Sequence, residues 1–459
     1  METVRFSTKP VAVDRILTKY RKIATSLPVP DSIPLLERMY SLESRSMHGQ
    51  LPIIWDRADN FQVYDSYGNV WIDFTSTIFV ANSGHGNKRI RNALKTLIDK
   101  PLLHTYTYAS RERIEYLDYL ISNTPAEFEK AFLLSAGTEA TEAAFKLMRL
   151  SGKKNNKRRG GIVCFDGAYH GRTMAAQMMT GNHSARDWVG YQDPNIHHLP
   201  YPYPWVKDCD SPELYFEESI KALLNEKELD SDQDICGFML ETYQGWGAIF
   251  FPNEYITALF KYARKHNIIV TFDEMQAGFG RTGPLFGYMH YGVTPDLICL
   301  GKGASSGFPL SVVLGSSEIM DLPEIGSMSS THSANPLACI AGHENLKALL
   351  EDGIIERGQK LGELFHRKLM NIQQRFHSKL RYVFGKGLLA ALVFIDRDEN
   401  PLSALCNRIS EMAMQRGLLV ICTGRESIKL APPLTISEEA LNEGIDVLES
   451  CIADCLRQN

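Results

Sequence analysis

The chain has 459 residues, 44% of them hydrophobic and 22% charged, with a formal net charge of −5. That length exceeds one simple core and calls for two or three packed units. The acidic balance argues against nucleic acid as the main partner, and no apolar run approaches the ~20 residues that a bilayer-spanning helix needs.

The opening "METVRFSTKPVAVDR" holds no apolar h-region, so no secretory signal is expected. Residues 1–60 read as an extended and helical N-terminal arm. "FQVYDSYGNVWIDF" (61–74) alternates polar and apolar residues around Ser66-Tyr67-Gly68-Asn69, the pattern of a hairpin. From about 110 to 320, helices alternate with near-continuous apolar runs: "AFLLS" (131–135), "GIVCF" (161–165), "GFMLE" (237–241), "IIVTFD" (268–273), "LICLGK" (297–302) and "LSVVLG" (310–315). Strands without a polar face indicate an α/β fold whose central sheet is mainly parallel and covered on both sides. The basic "GKKNNKRRGG" (152–161) is expected to be a solvated turn, and "IHHLPYPYPW" (196–205) a surface loop whose paired histidines hold no metal. Beyond 335 the chain turns helical and then alternates again through "GLLAALVFID" and "GLLVICTG". The expected organisation is an arm over 1–60, a large domain over 61–335 and a smaller α+β domain over 336–459, completed by the N-terminal segment. Nine cysteines scattered through apolar runs suit a reducing compartment, so a cytoplasmic protein is expected.

Three costly residues stand at the ends of apolar runs: Glu241, Asp273 and Lys302. In open α/β sheets the carboxyl ends of strands are where ligands bind. In "LLSAGTEATEAAFKLMRL" a strand ends at Ser135, Ala136-Gly137 turn the chain, and a helix begins near Thr138. Ala140, Ala143, Ala144, Leu147 and Met148 form its apolar stripe, and its free N–H groups suit a phosphate. "FDGAYHGRT" (165–173) presents Tyr169, with His170 beside it, to a flat ligand. A lysine amine for a Schiff base, a carboxylate for a pyridinium nitrogen, a ring to stack and a helix start for a phosphate are what pyridoxal 5'-phosphate requires.

These residues resemble the class III (ω-type) aminotransferases, fold-type-I pyridoxal phosphate enzymes that include ornithine and 4-aminobutyrate aminotransferases. "TFDEMQAGFGRTG" (271–283), "LGKGASSGFPLS", "SAGTEATEAA", "YHGRT" and "THSANPLAC" match in order and spacing, and the resemblance runs from about residue 50 to the C-terminus. It implies that Lys302 carries the cofactor, Asp273 meets its ring nitrogen, Gln276 lies near its phenolic oxygen and Tyr169 stacks on it. Gly137 and Thr138 would hold the phosphate, with Glu241 also in the cofactor site. Thr331 would reach the phosphate in the other subunit of a homodimer with shared active sites. The activity implied is amino-group transfer between an amine donor, such as glutamate or alanine, and a carbonyl acceptor.

The chain departs from the family at several positions. Ser135 and Ala136 replace an asparagine and a serine, and Trp246 stands where ornithine and 4-aminobutyrate aminotransferases have a gating glutamate. Lys429 stands where they have the arginine that binds a carboxylate, and Arg425 lies four residues earlier. Lysine lacks arginine's planar bidentate grip. Either Lys429 binds a carboxylate less rigidly while Trp246 fills space, or the amine is hydroxylated, sugar-like or aromatic and stacks on Trp246. Tyr106, Tyr108, Thr77 and Ile78 lie where the family builds substrate walls. Racemisation or epimerisation on the same fold is the alternative activity. A cofactor-free scaffold role is a third reading, opposed by the joint presence of Lys302, Asp273, Gln276 and Thr331.

Overall fold

A computed structural model describes residues 6–206 and 211–457, so Cys209 and residues 1–5 lie outside the described part. Its central sheet has seven strands: β1 (Lys130–Leu134), β2 (Gly161–Phe165), β3 (Ile196–Leu199), β4 (Ile235–Glu241), β5 (Ile269–Asp273), β6 (Leu297–Leu300) and β7 (Ser311–Gly315). They are ordered β1-β7-β6-β5-β4-β2-β3. β3, β2, β4, β5 and β6 run parallel, whereas β7 is antiparallel to both β6 and β1. The sheet is thus mainly parallel with one reversed strand. A strand buried on both faces reads the same in either direction, so its sequence does not announce the reversal.

The helix Gly137–Lys154 lies across this sheet and buries Ala140, Ala143, Ala144, Leu147 and Met148, the stripe read from the sequence. Each large apolar side chain so buried contributes about 1.5–3 kcal/mol. The helix sits close: a Cβ on Gly237 of β4 would lie 2.2 Å from Met148 Sδ. One loop expectation is corrected. "IHHL" is the edge strand β3, with His197 buried rather than on a surface loop. The basic cluster at 152–161 is, as expected, a mostly exposed turn between the helix ending at Lys154 and β2, although Lys157 donates to the carbonyls of Ser231 and His266 at 3.2 and 2.8 Å and Arg158 pairs with Asp234. Buried carbonyls and a buried carboxylate supply partners that no local pattern reveals.

The hairpin at 61–74 forms, as strands Gln62–Tyr64 and Val70–Asp73 with Val63 opposite Trp71. Its sheet also contains Ile16–Leu17, Lys22–Ile23 and Arg57–Asp59, and Leu418–Leu419 pairs parallel with Val70–Asp73. Fully buried Trp71 seals that junction by donating its indole N–H to the Met414 carbonyl at 2.8 Å. Leu380–Phe384, Ala390–Phe394, Ser427–Leu430 and Ile421–Cys422 make a four-stranded antiparallel sheet that carries Lys429. "GLLVICTG" therefore divides between two sheets rather than forming one strand.

Ser76, Thr77, Ile78 and Phe79 all have positive φ, from 46° to 68°. A left-handed run costs roughly 1–2 kcal/mol per residue outside glycine, so surrounding contacts must hold it. Fully buried Arg281 supplies them, donating to Ser76 Oγ at 3.1 Å and Asn82 Oδ1 at 2.6 Å. The same guanidinium donates to the carbonyls of Leu388 and Pro432, fastening this turn to the C-terminal part of the chain. The eight cysteines among the described residues are free thiols. No described helix is long and apolar enough to cross a membrane.

Candidate active site

Parallel pairing aligns the ends of neighbouring strands, and Asp273 on β5 stands opposite Glu241 on β4. Lys302 follows β6 by two residues, in a one-turn 3₁₀ segment, with its own φ at 45°. A lysine in that sparsely populated region is a constraint that the surroundings enforce. The three groups meet at a cavity of about 310 Å³, at the small end of the range for ligand sites. Gly137, Thr138, Tyr169, Glu241, Asp273, Gln276 and Lys302 all line it.

The electrostatics follow from burial. Desolvation lowers the Lys302 amine below its ordinary value, although Asp273 and Glu241 oppose the shift. An amine with less proton affinity is nucleophilic nearer neutrality. Burial pushes Glu241 up to about 7, with Asp273 adding to the rise and His170 opposing it. Glu241 Oε2 accepts from the backbone N–H groups of Tyr169 and Gly245 at 3.2 and 3.3 Å. Asp273 Oδ2 lies 2.9 Å from His170 Nδ1, and its Oδ1 accepts from Met275 N at 3.1 Å.

The donor set fits pyridoxal phosphate. The amine and carboxylate line one cavity, and the helix start at Gly137 opens onto it. Backbone there approaches closely: a Cβ on Gly137 would lie 2.9 Å from Met275 Sδ, and one on Gly171 only 2.3 Å from Thr138 Oγ1. Thr138 Oγ1 is in turn 2.6 Å from Thr173 Oγ1.

The remaining expected residues lie outside the cavity wall. Lys429 is buried just behind Gln276, its Nζ donating to the Gly245 carbonyl at 2.7 Å and to Gln276 Oε1 at 3.2 Å. Trp246 packs in an aromatic cluster with Tyr203 and Trp205 and donates its indole N–H to Tyr203 Oη at 3.3 Å. The Arg425 guanidinium sits 3.9 Å from the Trp246 ring centroid and pairs with Glu426 at 3.0 Å. One face of the indole is therefore occupied from within the chain. Ile78 lines a neighbouring cavity of about 350 Å³ with Trp55, Leu51 and Val420. Tyr106 and Tyr108 are exposed. Thr331 is also exposed, and its carbonyl lies 2.8 Å from His104 Nε2.

Sequence reasoning placed His170 beside Tyr169 without assigning it a partner and gave no role to Arg172 or Tyr243; all three line the cavity. "YHGRT" contained the first two, but nothing local showed that His170 would meet Asp273 across 103 positions of chain. Arg281, which holds the left-handed turn, stood in "FGRTG" without any signal of full burial.

An α/β sheet presenting a half-buried lysine, two buried carboxylates and a helix start at its carboxyl edge defines a pyridoxal-phosphate-dependent enzyme. The sequence model of the class-III aminotransferases matches residues 44–452. The 4-aminobutyrate aminotransferase of Mycobacterium leprae is 30% identical over 95% of this chain and 98% of its own. The mitochondrial ornithine aminotransferase of Oryza sativa subsp. japonica is 32% identical, over 92% of this chain and 87% of its own. Among solved structures, the ω-transaminase of Pseudomonas jessenii in complex with PMP superposes with a TM-score of 0.85, at 24% identity over 92% and 98% of the two chains. An (S)-enantioselective ω-transaminase from Thermomicrobium roseum superposes at 0.83, with 27% identity over 93% and 98%. The chain belongs to the class-III aminotransferase family and is a pyridoxal-phosphate-dependent aminotransferase.

Proposed function

We propose that this aminotransferase moves an amino group from a donor such as glutamate, alanine or another amine to a carbonyl acceptor, and that one substrate is a non-α or sugar-like amine or its aldehyde. The observation that carries the reading is the state of Lys429 and Arg425, the two basic residues at and near the position where relatives have their carboxylate-binding arginine. Lys429 is engaged by the Gly245 carbonyl and Gln276, and Arg425 by Trp246 and Glu426. Neither is held ready for the α-carboxylate of an amino acid. Relatives named for 4-aminobutyrate and ornithine support an amine remote from the carboxylate.

Pyridoxal phosphate, when bound, supplies an aldehyde that exchanges amino groups and a ring that takes up electron density. Lys302 Nζ is the group that would hold the cofactor and afterwards move the proton between carbon atoms. Asp273 would face the ring nitrogen, braced by His170, and Gln276 the phenolic oxygen. Gly137 and Thr138 would bind the phosphate through the helix start, and Tyr169 would cover the ring. In this reading Thr331, exposed on its own subunit, completes the phosphate site of a partner subunit, and the protein is a cytoplasmic homodimer. Tyr106, Tyr108 and Ile78 then belong to walls that form between subunits. The chain organises as an arm over 1–60, a cofactor domain over 61–335 and a C-terminal domain over 336–459.

The test is a half-reaction screen of the cofactor-loaded protein with glutamate, alanine, ornithine, 4-aminobutyrate, diamines and amino sugars, followed by cofactor absorption. Conversion to the amine form of the cofactor by diamines or amino sugars supports the substrate reading. Conversion by α-amino acids alone overturns that reading while leaving transamination. Exchange of an α-hydrogen with deuterated solvent, without conversion, makes the enzyme an epimerase.

A further inference from the structure

The least expected group around the cavity is a lysine whose side chain is buried and which does not line the wall. The Lys429 ammonium has acceptors on two sides, the Gly245 carbonyl at 2.7 Å and Gln276 Oε1 at 3.2 Å. The ring of Phe79 lies on a third, its centroid 4.7 Å from Nζ. That phenyl ring belongs to the left-handed turn that Arg281 clamps, so the lysine packs against a fixed element.

A glutamine amide is two-sided: one end accepts and the other donates. With Oε1 taken by Lys429, the Nε2 end must face the other way. A Cβ built on Gly245 would lie 2.9 Å from Gln276 Nε2 and 2.6 Å from Glu241 Oε1, so both atoms crowd the same side of Gly245, and both side chains line the cavity. We propose that Lys429 is a positioning residue that locks the Gln276 amide with its N–H donors turned towards Glu241 and the cofactor cavity, rather than a ligand for substrate carboxylates. The proposal rests on the reading of that cavity as the cofactor site, and it deepens it.

A further observation agrees with this arrangement. Flipping the amide would place Nε2 against Nζ and leave Oε1 beside the Glu241 carboxylate, an arrangement of buried like-signed groups. The charged groups that act on Lys429 are Glu241, which favours its protonation, and Lys302, which opposes it. Lys429 thus feels the charges of both Glu241 and Lys302 while holding the Gln276 amide from outside the cavity wall.

The experiment uses the cofactor-loaded enzyme without substrate and follows the pH midpoint of the bound cofactor's absorption change. Lys429→Met, Gln276→Ala and the double variant are compared with wild type, with thermal melting as a check on folding. The expected result is a shift of about one pH unit in each single variant, in the same direction, with no further shift in the double. Lys429→Arg, which keeps N–H donors at that place, should restore the wild-type midpoint. Should Lys429→Met not fold, Lys429→Gln replaces it, since its shorter amide stops short of Gln276 and should show the same shift. An unmoved midpoint in the lysine variant, or shifts that add in the double, overturns the proposal. A midpoint that stays while KM for 4-aminobutyrate rises makes Lys429 a carboxylate ligand instead. Because no amine is present in the titration, its outcome is readable whether or not the half-reaction screen supports the substrate reading.

Discussion

Burial pushes the Lys429 amine from 10.5 down to about 7, with Glu241 holding it up and Lys302 adding to the fall. The folded protein therefore binds fewer protons at this site than the unfolded chain does between those two values. Stability must rise with pH across that window, because the slope follows the excess of protons on the unfolded state. One proton corresponds to about 1.4 kcal/mol per pH unit, so the site contributes a rise of about 3–4 kcal/mol between pH 7 and pH 10. Glu241 and Glu274 are both raised by burial to about 7, and their effect has the opposite sign but falls between 4.5 and 7. The alkaline window thus separates the lysine from them. Lys302, whose amine burial also lowers, is present in both proteins, so its contribution cancels in a comparison. Urea unfolding of wild type and Lys429→Met, at saturating cofactor and pH 7, 8, 9 and 10, measures the difference directly. Wild type should gain on the variant steadily as pH rises, and the variant should be the more stable of the two at pH 7. Parallel curves would mean that the amine stays charged in the fold and that the burial argument fails.

Three further outcomes are expected. Lys302→Ala should abolish conversion of the cofactor by any amine and remove the absorption of the lysine-bound form, read by spectroscopy and a coupled transaminase assay. Gly171→Ala should weaken cofactor binding about tenfold or more, since φ at this residue is +139° and the added Cβ would meet Thr138 Oγ1 at 2.3 Å; equilibrium dialysis measures it, and unchanged affinity would remove Thr138 from the phosphate site. Arg425→Ala should uncover the indole of Trp246 and alter relative rates among aromatic and aliphatic amines more than cofactor content, because it removes a cation–π contact worth about 0.5–1 kcal/mol. Identical selectivity in the amine screen would separate the Trp246 cluster from substrate choice.

Much of the site was legible because its residues sit where strands must end. Glu241, Asp273 and Lys302 each interrupt an apolar run with a charge, and an uncompensated charge there is too costly to be incidental. The helix after β1 was legible from its stripe of alanines, which have one physical use when spaced at helical intervals. Less was visible where a residue's meaning depends on distant backbone. "IHHL" looked like loop because two histidines break an apolar run, yet β2 pairs with it and buries His197. Nothing in the sequence around Arg281 announced the four acceptors, from residues 76, 82, 388 and 432, that close around it.

By itself the sequence determined the class of fold and the chemistry of the cofactor site, because both are set by local rules. Apolar runs of strand length need a sheet covered on two sides, and charges at their ends need a ligand. Only the tertiary structure decided that β7 runs against its neighbours, that Arg425 covers Trp246 and that Lys429 turns to Gln276. These depend on which backbone carbonyls, rings and amides come within about 4 Å across long stretches of chain. Hydrogen bonds and cation–π contacts act over that distance, and a linear sequence does not specify which partners will come within it.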